Sequence, residues 1–401
     1  MRYFHVAYAT GLIAAAVAMP AHAGETILYG DEGAWIDVAD LPSAEDGRGL
    51  PLRLMESQTR MEDGVVASYG DIAFALDSTE ALDAMGTISL EWLPDKGDLT
   101  VHRVELVRGD KVIDVLANGA RFEVLRREEG LEKRILNGAL TATMSIPGAQ
   151  IGDVLRYSFT TTTDEQVLDD EMEYVNVVMA KPVPLAEGRM ILSWPVDESV
   201  RWATARVDAP VDETTRDGYR YVTIAVPVAE PAEIPADAPP RFRLPPQIRA
   251  TTFDSYAQIS ADIAPFFATE GTIEPGSALA DRIAEIGAQT TDQKERAALA
   301  TQFVQDEVSY LLNGLNGGNY IPQSPAETWE LRSGDCKAKS LLLLAMLREL
   351  GISAEAVLVQ SQTGDALPEQ LPTLTNFDHM IVRADIDGVP YWLDGTNGGL
   401  R

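Results

Sequence analysis

The chain contains one cysteine, Cys336, in the run Ser333-Gly334-Asp335-Cys336-Lys337, immediately ahead of a leucine-rich stretch. Gly334 can take up the backbone of a tight turn and Asp335 is a good helix N-cap, so Cys336 falls in the first turn of a helix. There the unpaired backbone N–H groups and the positive end of the helix dipole favour a thiolate. The same N–H groups could stabilise the oxyanion formed when that thiolate attacks a carbonyl. A cysteine nucleophile also needs a base within hydrogen-bond reach and a third group that holds the base in one tautomer. Of four histidines, His5 and His22 lie in an N-terminal segment that reads as a removable leader. His102 alternates onto the face of Val104 and Leu106 in a distant strand, where a structural or surface role is the plainer reading. His379 remains as the base. Asp394 ends the following strand, and a turn at Asp387-Gly388 would lay the two strands side by side, bringing Asp394 towards the imidazole nitrogen that faces away from the cysteine.

The elements that must position these residues can be read around them. Asp292, with Glu295 three residues on, is a capping pair for a helix reaching about Val308, with Ala297, Ala300, Phe303, Val304 and Val308 on or near one face. Cys336 to Leu350 is a second helix, buried by its run of leucines and ended by Gly351. A strand follows at Ala354 to Val359, then the pair beginning at His379 and at Val389. Gln302, Tyr310 and Trp329 are weaker candidates for an oxyanion hole or substrate wall, because such residues more often serve as core or helix surface. Lys337 and Lys339 serve to balance local charge.

Gly334-Asp335-Cys336-Lys337, Leu347-Arg348-Glu349-Leu350-Gly351-Ile352, Phe377-Asp378-His379 and Tyr391-Trp392-Leu393-Asp394 together resemble the transglutaminase-like superfamily in order, spacing and flanking residues, over about residues 290 to 396. Within it, the chain is similar to bacterial exported proteins in which a β-rich domain of unknown function precedes the core. The resemblance implies a papain-like α+β fold with Cys336, His379 and Asp394 as the triad. It departs from the pattern in reading Lys337-Ala338-Lys339-Ser340 after the cysteine and Gly395 where a proline commonly follows the aspartate. It also stops seven residues beyond Asp394, where such cores usually carry further strands, so a core shortened at its C-terminus is expected.

The N-terminal half reads differently. Strand patterns separated by Gly, Pro and Asp, including a hairpin from Thr100 to Leu116 turning at Gly109-Asp110, predict an antiparallel, sandwich-like β-domain. Seven prolines between Val226 and Gln247 mark a semi-rigid linker or strap. The expected organisation is a signal peptide over 1–23, a β-rich domain over 24–225, a linker over 226–250 and the α+β core over 251–401. The leader has a charged start, a short apolar middle from Val6 to Ala18 and an Ala-His-Ala ending, so export to the periplasm is expected, with no membrane insertion after cleavage. In an oxidising compartment cysteines usually come in pairs, and a lone thiol there needs a reason.

With 62 acidic against 32 basic residues and a net charge of −30, the surface repels phosphate backbones, which excludes nucleic acid as a partner. No metal cluster, P-loop or dinucleotide fingerprint occurs, so neither cofactor nor metal is expected. The chemistry predicted is thiol-dependent acyl transfer on a peptide or protein substrate, ending in hydrolysis or in transfer to an amine. The alternative is a non-enzymatic periplasmic binding or scaffold protein carrying a vestigial core.

Overall fold

The computed structural model describes residues 24–398 apart from 44, 46, 127–134, 137, 165, 167, 169 and 314–319. The expected signal peptide, residues 1–23, lies outside the described residues. Among the described residues, no helix is long and apolar enough to cross a membrane.

The N-terminal domain is built on a nine-stranded sheet. Its central hairpin, Leu52–Glu62 and Val65–Leu76, turns at Asp63-Gly64, where both residues have positive φ (51° and 76°). That is the geometry a two-residue hairpin turn demands. Asp153–Thr163 and Leu99–Arg108 extend the sheet on one side, and Leu185–Pro195, Tyr219–Ala225 and Val211–Arg216 on the other. Pairing is antiparallel except where Leu28–Tyr29 meets Leu99–Arg108 and where Leu185–Pro195 meets Leu52–Glu62.

One face of this sheet is apolar and is covered twice. A three-stranded sheet of Thr87–Trp92, Leu140–Ser145 and Glu123–Arg126 packs on it through Leu90, Trp92, Leu106, Ala142 and Leu155. A second, of Glu173–Val177, Gln247–Thr251 and Arg201–Ala205, packs through Met61, Leu192, Trp194, Ile224, Ile248 and Ala250. The opposite face is polar yet buried, because the segment around residues 32–39 lies across it. Arg156 forks onto Asp71 at 3.0 and 2.6 Å and reaches the Ala39 carbonyl at 2.6 Å, and Arg189 meets Glu56 at 2.6 Å. The Gln58 amide both accepts from and donates to the Asp37 backbone.

The proline-rich segment is a strap. Arg206 donates to the carbonyls of Ala232 and Leu244 and pins it to the N-terminal domain, while Arg241 pairs with Asp365 of the C-terminal core at 3.1 Å. Its last residues differ from the expected linker. Gln247–Thr251 forms the middle strand of a three-stranded sheet, because Ile248 and Ala250 bury themselves in the domain's core once the prolines have ended.

The C-terminal core places helices against a three-stranded antiparallel sheet of Ser353–Val359, His379–Ile386 and Val389–Leu393. The helix Gln293–Glu307 is capped by Asp292, whose carboxylate accepts from the N–H groups of Lys294 and Glu295, and it buries Ala297, Ala300, Phe303 and Val304. The helix Cys336–Glu349 runs through the centre, with every residue from Cys336 to Leu347 buried. It has no polar face because helices and the sheet surround it.

Candidate active site

The helix Pro325–Leu331 delivers the chain to the cysteine. Ser324 and Glu327 cap it reciprocally, and it ends at Arg332, which takes a left-handed φ of 51°. Ser333–Gly334 then pairs in parallel with Ser309–Tyr310. Gly334 is required for space and not for a turn: a Cβ there would stand 2.7 Å from the Cβ of Ala338. Asp335 caps the cysteine helix by accepting from the N–H groups of Lys337 and Ala338, both at 2.9 Å, and its other oxygen meets Lys337 Nζ at 2.5 Å. The positive helix end is therefore partly spent on Asp335. The Cys336 N–H is the first-turn donor left without a partner among the described residues, a narrower oxyanion site than the sequence suggested.

Cys336 is 5% exposed, in the first position of the helix. His379 opens the adjacent strand, and Asp394 follows the next one, joined by the turn at Asp387-Gly388, where φ is 54° and 74°. His379 Nε2 and Asp394 Oδ2 are 3.2 Å apart. With Nε2 committed to the carboxylate, Nδ1 is the nitrogen available to the thiol, the imidazole's other interaction partner. Asp394 Oδ1 accepts from the N–H of Thr396 at 2.8 Å and from its hydroxyl at 2.6 Å. The hydrogen bond to Asp394, and next the interaction with Cys336, raise the His379 pKa to about 10 against the opposing effect of burial. Burial would lift Asp394, but hydrogen bonds from His379 and Thr396 outweigh it and hold the carboxyl at about 2. The three predicted residues are thus brought together in the order thiol, imidazole, carboxylate.

Comparison with known proteins accords with this geometry. The transglutaminase-like superfamily matches residues 278–381, and a domain of unknown function with a solved structure, DUF3857, matches residues 62–228. Residues 278–381 are a transglutaminase-like superfamily domain. A crystal structure of a candidate protease from Parabacteroides distasonis superposes with a TM-score of 0.65 at 14% identity, covering 86% of this chain and 66% of that one. The chain thus spans less than two thirds of that protein's length, and the likeness shows a shared fold. An M1 zinc metallopeptidase from Deinococcus radiodurans aligns at 12% identity over 51% of this chain and 42% of its own with a TM-score of 0.23, too low to indicate a common fold. No curated protein matches the chain.

The transglutaminase-like core recruits residues that the sequence ranked poorly or missed. Tyr310, one of the weaker candidates, stands in the electrostatic neighbourhood of Cys336, and burial first, then Cys336 and Asp335, push its phenol well above the ordinary range. The parallel pairing of Ser309–Tyr310 with Ser333–Gly334 fixes it there, helped by Lys339, whose ammonium donates to the Val308 carbonyl. Lys339 is 1% exposed, and burial lowers its pKa although Asp394 opposes this. It is an internal cation near Asp394, not a surface charge balancing others. Lys337 is buried too and belongs to the Asp335 cap.

Gln302 is exposed, whereas Gln305, nearly one turn on, donates to the Asp394 carbonyl at 2.8 Å. Trp329 stacks on Phe303 at 5.5 Å between ring centres and under the Arg332 guanidinium, a packing role. His102 is structural, but on the face opposite to the one expected. A register shift between Ser158 and Phe159 in the paired strand places Val101, Val104 and Leu106 together in the core. The His102 ring instead contacts Gly30 and Thr160, at 2.9 and 2.7 Å, and tilts over Tyr69. Such bulges break the alternation on which strand faces are predicted.

Proposed function

We propose that this chain is an exported thiol-dependent acyl-transfer enzyme that hydrolyses a peptide or amide bond, with Cys336 as nucleophile, His379 as base and Asp394 as its orienter. The observation that carries this reading is the imidazole held by Asp394 through Nε2 with its other side turned to a cysteine at a helix start. The superfamily match and the fold shared with a candidate protease support it.

In the reaction, Cys336 gives its proton to His379 and its sulfur bonds to the substrate carbonyl carbon. The oxyanion draws on the Cys336 N–H and the nearby Tyr310 hydroxyl. His379 returns the proton to the departing amine as the C–N bond breaks, leaving a thioester. Water, deprotonated by His379, then adds to the thioester, the C–S bond breaks, and a carboxylic acid and the free thiol are released. An amine in place of water would give transfer, with the same first half-reaction.

The test is alkylation of Cys336 in the full-length chain as a function of pH. The expected result is labelling well below the ordinary thiol range of about 8.5 that is lost in His379→Ala. Labelling of equal rate in both proteins would overturn the assignment, and labelling only in denaturant would favour a scaffold. Export is tested by the N-terminus of the protein recovered from the periplasm, which should begin at Gly24.

A further inference from the structure

Beside Cys336 and His379 lies a pocket of about 290 Å³. At about 30 Å³ per water molecule, that is roughly the space of ten waters, enough for one large side chain. Leu312, Tyr320, Leu358, Phe377 and Met380 line it. Its walls are firm. Met380 is 2% exposed within the core, and Phe377 is braced edge-on by Tyr256 at 5.7 Å between ring centres.

Of the charged side chains at this pocket, His379 belongs to the reacting site, and Lys337 and Asp378 each already have a partner. Lys337 is bound to Asp335 at 2.5 Å. Asp378 accepts from the N–H of Ser361 at 2.7 Å and from its hydroxyl at 2.8 Å. A charged or carboxamide side chain entering here would exchange its water for mostly apolar walls, which is penalised, whereas an apolar one gains from burial.

We propose that this pocket is the specificity subsite of the enzyme, and that it takes an apolar side chain, aliphatic or aromatic, from the acyl side of the scissile bond. The substrates are therefore peptides with leucine-, methionine- or phenylalanine-like residues there, and glutamine is not the preferred acyl donor. This rests on Cys336 being the nucleophile, since the thiol lines the same pocket.

Two measurements separate the subsite from the chemistry. Fluorogenic peptides carrying leucine, phenylalanine, alanine, glutamine, aspartate or lysine at the first or second acyl-side residue are assayed with the full chain. Leucine or phenylalanine should exceed alanine in kcat/KM by about 10- to 200-fold at one of the two positions, with glutamine and the charged residues no better than alanine. Leu358→Glu should raise lysine relative to leucine by at least about tenfold, the gain of one charge-assisted contact. Leu358→Ala should move the preference from leucine to phenylalanine, with melting curves as the check that both variants fold. In parallel, Cys336→Ala is titrated with the corresponding capped amino-acid amides and followed by NMR. Turnover without apolar preference, or with preference for glutamine, overturns the subsite and leaves acyl transfer standing. Selective binding of the apolar amides without turnover retains the subsite and removes acyl transfer. Absence of both removes both.

Discussion

Replacing Asp394 by asparagine should cripple this site even though papain-like triads can work with an amide in the third position. The reason lies in Thr396. The Asp394 carboxylate accepts on both oxygens, from His379 Nε2 at 3.2 Å and from the Thr396 N–H and hydroxyl at 2.8 and 2.6 Å. An amide has one accepting end. The Thr396 hydroxyl can rotate and accept, but its N–H can only donate, so the amide oxygen must stay there and its NH₂ must face His379. Nε2 then has to accept, and the ring proton moves to Nδ1, the nitrogen that should take the proton of Cys336. At the same time the imidazolium loses its carboxylate, so the His379 pKa should fall from about 10 towards the ordinary 6.5. The lost charge-assisted hydrogen bond is about 1.5–3 kcal/mol, and a base in the wrong tautomer lowers turnover by up to about 10⁴-fold. The expected outcome for Asp394→Asn is a fall in kcat/KM, or in the rate of Cys336 alkylation at neutral pH, of about 10²- to 10⁴-fold. Nitrogen NMR of His379 reads the tautomer and the titration directly. A variant that still titrates near pH 10 and alkylates at the wild-type rate would refute the account of how this carboxylate works.

Other perturbations have equally definite outcomes. Gly334→Ala sets a methyl 2.7 Å from the Ala338 Cβ, and should displace the start of the cysteine helix, losing about 1–3 kcal/mol in urea unfolding together with thiol reactivity. Tyr310→Phe removes the hydroxyl beside the sulfur and should lower kcat by roughly 10- to 100-fold with little change in KM, as expected for a contact of about 1.5–3 kcal/mol to developing charge. Arg156→Met leaves Asp71 as a buried, unpaired carboxylate and should destabilise the N-terminal domain by about 3–5 kcal/mol, read as a lower urea midpoint. The His379–Asp394 pair should contribute fully to stability from about pH 4 to 6.5, because the folded-state pKa of His379 is raised and that of Asp394 is lowered. This contribution declines as pH rises through about 10 and as it falls through about 2, so the unfolding midpoints of wild type and His379→Ala should converge at both extremes.

The juxtaposition of Cys336, His379 and Asp394 was legible because the candidate residues are few and each sits at an element boundary. One cysteine, two histidines outside the expected leader and an Asp-Gly turn of known geometry left little choice. The cysteine helix, its Asp335 cap and Gly351 beyond its end follow the same logic and occur where the local signals put them, with Gly351 at a φ of 77°. Less legible were the supporting residues. Gln305 and Lys339 act through long side chains whose direction depends on packing between elements, and nothing local distinguishes Gln305 from Gln302 on the same helix. Two long strands, Leu52–Glu62 and Val65–Leu76, were also opaque. Glu56, Gln58 and Asp71 are polar, yet the overlying segment buries them among arginines that arrive from strands over 80 residues away. Local pattern cannot report a partner so distant in sequence.

The N-terminal domain bears on the position of His379. Glu173, on an edge strand of that domain, accepts from the N–H groups of Leu374 and Thr375 at 2.6 and 3.3 Å, and burial raises its pKa despite those bonds. Arg249, on the neighbouring strand, donates to the side chain of Asn376, whose amide in turn donates to the Tyr256 hydroxyl at 2.8 Å. Residues 374–376 are therefore held from the β-domain, only three residues before His379. The far end of the same histidine strand is held within the core, by pairing with Ser353–Val359 and Val389–Leu393. A base positioned from both sides in this way has its distance to Cys336 set by how the two domains pack. On the proposed role of His379, that makes the β-domain part of the geometry of the base, and it gives a positioning role to a half-buried carboxylate and arginine at a junction where apolar residues would pack with less desolvation.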